Sequence, residues 1–339
     1  MTRDDFFYIV STYSKWLSTQ CTLGPCKTKM GGNALRHLHV QRRDLPEYLA
    51  LKSYVLEIVR EYYDLVATPV EPPGKTSFGD LDILVASPKG TSKRMVYHDE
   101  RLRSRGVVIN GKVTSFEHDG FQIDLITVPS TSFELAKVYY HLCFGWIMGR
   151  FARKLGFTFG HESFGIKFAN TTYFELSRDV DAIMTYFGFP RFPERGFADC
   201  DEMVAYLTSG RFDLRILKGK PFELRRRAVV RPDLVDISAR IDALDGEAVA
   251  EVENLHEDAI RYFGREEAYM TFEEVRRHAD HVRAVFNGHI IRALTGLEDQ
   301  RLGDFIRRFT ARYTTDHILE LARHGTLEET IMSAFKEFI

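Results

Sequence analysis

The stretch "TSFGDLDILV", residues Thr76 to Val85, sets two aspartates one residue apart inside a run of strand-forming aliphatic residues. Side chains alternate faces along a β-strand, so Asp80 and Asp82 point one way while Leu81, Ile83 and Val85 fill the opposite, apolar side. Two carboxylates held this close repel and raise each other's pKa unless a cation lies between them, and oxygen-only ligands of that kind suit Mg²⁺ or Mn²⁺. The stretch therefore reads as half of a metal site. A second strand, "FQIDLITV", carries Asp124 between Ile123 and Leu125. If the two strands are neighbours in one sheet, three aspartates can cradle two Mg²⁺ ions, the arrangement that serves in-line phosphoryl displacement.

Outward from that core, punctuation residues divide the chain. "VEPPGKTSFG" turns into the first aspartate strand at Pro72, Pro73 and Gly74. Before it, "DLPEYLALKSYVLEIVREYYDLV" predicts one helix, with Asp44 as N-cap, Pro46 in the first turn and Leu49, Tyr54, Ile58 and Tyr62 at roughly helical spacing. After it, Asn110-Gly111 and Asp119-Gly120 predict hairpin turns in a mixed or antiparallel sheet. Helical patterning covers Ser132 to Leu155, "GFTFGHESFGIKF" reads as short strands or turns, "LSRDVDAIMTYFGF" reads as a further helix, and from about Ala198 onward nearly everything is helical. The expected class is α+β: a carboxylate-bearing sheet followed by a mainly helical C-terminal region.

Composition narrows the class further. The chain has 339 residues, 44% hydrophobic and 28% charged, with a net charge of −2. That is ordinary globular usage with room for two or three cores, and no apolar run reaches the roughly 18 residues that a membrane span needs. The N-terminal twenty residues lack the signal-peptide pattern and read as an amphipathic helix packing Phe6, Ile9, Tyr13 and Trp16. Cys21, Cys26, Cys143 and Cys200 are too few and scattered for a disulfide framework, so an intracellular, reducing compartment is expected, with no membrane partner and no obligatory protein partner. His37-x-His39 and His278-x₂-His281 have no nearby Cys or acidic partner to complete a tetrahedral set and read as surface histidines. Nucleophile-elbow, Walker A and dinucleotide motifs are absent, and those enzyme classes drop out.

The net charge supplies no field for a polyanion, so nucleic acid would have to be met by local patches. The candidates are Lys218, Lys220, Arg225, Arg226 and Arg227 in "LKGKPFELRRRAVVRPD", together with Arg307 and Arg308. Smaller clusters stand at Arg36, Arg42 and Arg43, at Arg101, Arg103 and Arg105, and at Arg150, Arg153 and Lys154; such runs are commonly solvated faces.

"TSFGDLDILVASP" resembles the palm motif of the family X (DNA polymerase beta-like) nucleotidyltransferases, in which Ser-Gly-Asp-x-Asp precedes three aliphatic residues. Other segments resemble the same family in the same order: "VQRRDLPEYLALKSYVLEIV" the basic turn and helix before the palm, "FQIDLITVP" the strand with the third aspartate, "RFARKLGFTFGHESF" the helix and Gly-Phe-Thr turn, and "ELSRDVDAIMTYFGFPRFPERG" the thumb segment. The similarity runs from about Val40 to Gly196. It implies residues 1–39 as an N-terminal helix and Gly-rich loop, 40–196 as a nucleotidyltransferase palm with a thumb-like segment, and 197–339 as a helical domain able to bind nucleic acid.

By position, the resemblance makes Asp80, Asp82 and Asp124 ligands of two Mg²⁺ ions, with Mn²⁺ as a substitute, and makes Asp124 a help in deprotonating a 3′-hydroxyl. It sets Ser77 and Gly79 against the triphosphate and Tyr139 and Tyr140 under the incoming sugar. The family's Gly-Ser pair before the aspartates is absent. In its place "GGNALR" can fold back with Gly31, Gly32, Asn33 or Arg36, and Lys75 and Arg36 are the candidate cations for the triphosphate. The segment "VFNGHIIRALTGLEDQRLGDFIRRF" resembles a helix-turn-helix element of CCA-adding enzymes and poly(A) polymerases, with Asn287, Gly288, Gly296 and Gly303 as turn residues and Arg312 beside the other arginines.

The expected activity is addition of a nucleotide from an NTP or dNTP to a DNA or RNA 3′ end with release of pyrophosphate, by a minimal family X-like DNA polymerase or terminal transferase. The alternative is an RNA 3′-end nucleotidyltransferase. Further from the residues stand a non-catalytic nucleic-acid-binding scaffold and nucleotide transfer to a protein or small molecule.

Overall fold

The computed structural model describes residues 34–35, 38–71, 74–89, 95–168, 172–219, 232–246 and 254–339. Their contacts divide the chain into two compact units, one over Lys29–Glu266 and one containing Glu267–Ile339. The class is α+β, with a mixed sheet and a helical C-terminal region. Among the described residues no helix is long and apolar enough to cross a membrane. The expected N-terminal helix and the Gly31, Gly32, Asn33 and Arg36 loop lie outside the described residues, as do Lys220, Arg225, Arg226 and Arg227.

A two-residue strand β1 (Arg43–Asp44) leads into helix α1 (Leu45–Tyr62). Asp44 caps it by accepting a hydrogen bond from the Glu47 N–H at 3.0 Å, and Pro46 occupies the first turn, where its missing N–H costs nothing. Tyr48, Leu51, Val55, Ile58 and Val59 form its buried face. The helix stops at Tyr62, shorter than its periodicity predicts. Tyr63–Ala67 is strand β2 instead, because pairing with β4 (Asp80–Pro88) satisfies this backbone in an extended form that suits its aromatic and β-branched residues.

After β3 (Ser77–Phe78) and β4 come β5 (Arg105–Asn110), β6 (Val113–His118) and β7 (Phe121–Thr127). The five-stranded sheet has the order β2-β4-β7-β6-β5; β4 and β7 run parallel and all other neighbours antiparallel. The β6–β7 turn uses Asp119 and Gly120 at φ 49° and 73°, the left-handed pair that a tight hairpin needs. The β5–β6 turn falls one residue later than expected, at Gly111-Lys112, since Asn110 pairs with Val113. Leu81, Ile83 and Val85 join Phe116, Ile123 and Leu125 against the buried face of α1, each fully buried side chain contributing about 1.5–3 kcal/mol.

The opposite sheet face has two halves. Leu84, Ala86, Ile126 and Val128 lie beneath Phe133 and Ala136 of α2 (Phe133–Tyr139). The other half carries the aspartates. The helix expected over Ser132 to Leu155 is two, α2 and α3 (Phe144–Lys154), because the chain turns between them with Leu142 at φ 50°. A three-stranded antiparallel sheet of β8 (Phe157–Phe159), β9 (Phe164–Lys167) and β10 (Tyr173–Ser177) follows, then α4 (Val180–Tyr186), α5 (Cys200–Thr208), α6 (Pro232–Asp242) and α7 (Leu255–Tyr262).

The C-terminal unit is made of α8 (Glu266–Val285), α9 (Gly288–Thr295), α10 (Asp299–Arg312), α11 (Thr315–Arg323) and α12 (Leu327–Phe338). They pack around Phe286, Ile291, Leu302, Phe305, Phe309, Ile318 and Ile331. Asn287 caps α9 through the His289 and Ile290 N–H groups, and Gly296 ends it at φ 68°.

Candidate active site

Parallel pairing of β4 with β7 sets Asp82 directly beside Asp124 and Asp80 beside Gln122. On the far side of β7, Ser115 stands opposite Asp124 and Glu117 opposite Gln122. Neighbouring strands lie about 4.8 Å apart, so these side chains of equal parity crowd onto one patch of one face. The antiparallel neighbours bring no further aspartate to it; the parallel register does the gathering.

Burial drives the electrostatics. Asp124 is 4% exposed and Gln122 0%. Desolvation raises the pKa of Asp80, Asp82 and Asp124 alike. Asp82 is pushed up to about 8, first by burial and then by the negative charges of Asp80, Asp124 and Glu71. For Asp80, Lys75 and Arg42 oppose the rise. Both oxygens of Asp124 accept hydrogen bonds from Gln122 Nε2, each at 3.0 Å, and the Ser115 hydroxyl adds a further bond.

Around this patch stand two cations. Arg42 donates from Nε to Ser77 Oγ at 2.8 Å and from Nη2 to the Ser77 carbonyl at 2.7 Å. Its Nη1 crosses Gly79 so closely that a Cβ there would lie 2.7 Å from it. Ser77 and Gly79, expected against a triphosphate, thus serve first to seat Arg42 beside Asp80. Lys75 pairs with Glu71 at 2.5 Å and lies 4.7 Å from the centre of the Phe78 ring, while the Tyr48 hydroxyl donates to the same Glu71 at 2.8 Å. A cavity of about 380 Å³ opens beside this group, lined in part by Lys52, Val70, Glu71, Lys75 and Phe78.

Tyr139 and Tyr140 close the end of α2, their rings edge to face at 5.2 Å and each 5.7 Å from His161. Tyr140 borders the patch: burial raises its pKa, and the Asp82 charge is among the further causes. Tyr139 turns toward Phe159 at 5.9 Å. The basic candidates among the described residues have partners of their own. Lys218 Nζ donates to the carbonyls of Leu244 and Gly246, a structural use. On α10 of the C-terminal unit, Arg307 pairs with Asp304, Arg308 lies 5.2 Å from the centre of the Phe338 ring, and Arg312 pairs with Glu337 at 2.7 Å.

The sequence marks Arg42 only as one of a basic cluster, and Glu71 and Gln122 not at all. Arg42 is 35 residues from Ser77, and nothing local separates it from Arg43. Gln122 was within reach, because it shares the parity of Asp124 two residues along the strand.

The donor chemistry suits a hard divalent ion: oxygen ligands, one-sided negative charge, and pKa values that a cation would bring back down. Among the described residues no three His, Cys, Asp or Glu side chains converge on one point as a closed metal cage would. The aspartates form an open row instead. That is compatible with Mg²⁺, which keeps several waters and takes one or two carboxylates along with substrate phosphates. No protein-family model matches the chain, and no curated protein matches it significantly.

Proposed function

We propose that this protein is a metal-dependent nucleotidyltransferase that joins a nucleotide from an NTP or dNTP to a nucleic acid 3′-hydroxyl and releases pyrophosphate. The observation that carries the reading is the parallel β4–β7 register, which sets Asp82 beside Asp124 and Asp80 next to them, so that the negative charges of Asp80 and Asp124 add to burial in raising the pKa of Asp82. Two Mg²⁺ ions, held by Asp80, Asp82 and Asp124, would supply charge neutralisation and Lewis acidity.

The chain's own groups divide the remaining work. The attacking hydroxyl oxygen forms the new bond to the α-phosphorus as the bond to the pyrophosphate oxygen breaks. Asp124, held by Gln122 and Ser115, is placed to take up the hydroxyl proton. Arg42 and Lys75, beside Asp80, oppose the charge that builds on the leaving pyrophosphate. Tyr140, packed against the apolar half of the same face, walls the patch on the α2 side.

Within this class we favour a minimal family X-like DNA polymerase or terminal transferase, since the ordered sequence resemblances run from before the first aspartate to beyond the third. The test is primer extension with Mg²⁺ or Mn²⁺ on single-stranded and templated DNA and RNA, each with dNTPs and with NTPs. Template-directed or untemplated extension of DNA supports the favoured reading. Untemplated addition to RNA alone replaces it with RNA 3′-end transfer, and silence on every substrate turns the reading toward another acceptor or a scaffold.

A further inference from the structure

Gln122 is wholly buried, yet its two polar ends have different fates. Nε2 is spent on both oxygens of Asp124, while Oε1 has no hydrogen-bond partner among the described residues. Reversing the amide does not cure this, because it would press Oε1 against the carboxylate. A buried acceptor left without a donor costs about 1–3 kcal/mol, so native structures keep few of them. In register, Gln122 lies between Asp80 on β4 and Glu117 on β6. Glu117 is already engaged by Arg105 and by the Gly120 N–H. Among the described residues no group donates to Oε1, and a hydrated cation at the aspartates would bring such a donor.

We infer that Gln122 is a positioning residue for the metal end of this site: its amide N–H groups orient Asp124, and its Oε1 accepts a hydrogen bond from water carried by the divalent cation. The inference rests on the metal-dependent reading above. Its chemistry explains why a neutral side chain stands here. An arginine or lysine at position 122 would orient Asp124 and also cancel its charge, whereas an amide orients the carboxylate and leaves its charge for the cation. A hydrated Mg²⁺ or Mn²⁺ ion answers both needs of the patch, positive charge for the aspartates and a donor for Oε1.

The experiment titrates the full chain with Mn²⁺ alone and follows free Mn²⁺ by electron paramagnetic resonance in wild type, Asp124→Ala and Gln122→Met. Methionine keeps the length and burial of the side chain and removes both amide functions. The expected result is weakening of Mn²⁺ binding by about 10- to 100-fold in Gln122→Met with an unchanged circular dichroism spectrum, the usual effect of losing an outer-shell partner. In transfer assays the same variant should regain kcat as Mn²⁺ is raised, with the KM for nucleotide unmoved, which a merely structural defect would not do. If the methionine variant does not fold, Gln122→Asn, whose amide is one methylene too short, should weaken binding in its place. Wild-type Mn²⁺ affinity in a folded Gln122→Met or Gln122→Asn protein overturns the inference and leaves the metal reading standing. No Mn²⁺ binding by the wild type removes the metal reading, and the inference with it.

Discussion

Glu117 and Asp82 occupy the same face of the same sheet, two strands apart, and their carboxyl groups are driven in opposite directions. Burial works against the charge of Glu117, but Arg105 at 2.8 Å and the Gly120 N–H outweigh it and hold its pKa below the ordinary value. Burial also works against Asp82, and there the nearest strong influences are further carboxylates, so its pKa rises to about 8. The Glu117 end has its counter-charge in contact; at the Asp82 end the described cations, Lys75 and Arg42, oppose a rise that burial and the carboxylates win. An acid kept for structure is matched within the chain, while an acid left unmatched on a packed sheet stores electrostatic cost that an external cation can relieve.

That contrast breaks most sharply at Asp124. Asp124→Ala should abolish transfer, a loss beyond the roughly 10- to 100-fold of an outer-shell defect, with the fold kept because one repelling carboxylate is gone; rate assays beside circular dichroism check both halves. Undiminished activity would remove the metal assignment. Next in size, Leu84→Ala in the apolar half should cost about 2–5 kcal/mol in denaturant unfolding, since it empties a site buried beneath α2. The two results together separate the half of this face that holds the fold from the half proposed to hold the cation.

Arg42→Gln sharpens the assignment of the leaving-group side. A fall in kcat/KM of about 10- to 100-fold, equal to about 1.4–2.7 kcal/mol, is expected with unchanged stability. Glu117→Gln should act the other way round, costing about 1–2 kcal/mol of stability while transfer continues, because its matched charge does structural work. Arg105 is 72% exposed, which keeps that cost small.

Parts of this arrangement were legible in the sequence, for local reasons. The alternation in Thr76 to Val85 fixed which side chains share a face, and Asp44 and Asp119-Gly120 acted through neighbours a few residues away. Tyr63–Ala67 was not legible as a strand, because its aliphatic spacing continues the helix and only pairing with β4 overrides it. The break at Leu142 inside an apparently continuous helix was equally hidden. At the candidate site, alternation could pair Asp80 with Asp82, but the parallel register that brings Asp124 alongside is a long-range choice. Arg42 reaching Ser77 is another.

The most direct test follows the unfolding temperature of wild type and Asp82→Asn across pH, with EDTA and then with Mn²⁺. In EDTA, the folded Asp82 holds its proton up to about pH 8 while the unfolded chain releases it near 3.8. The folded state therefore binds more protons in that window, and wild-type stability should fall as pH rises through it. Asp82→Asn loses the Asp82 share of that slope, keeps what Asp80 and Asp124 add, and should be the more stable protein at pH 8 without metal. Saturating Mn²⁺ should reverse the order, since only the wild type gains from binding. A wild type that matches or exceeds the variant in EDTA and does not respond to Mn²⁺ would contradict the account.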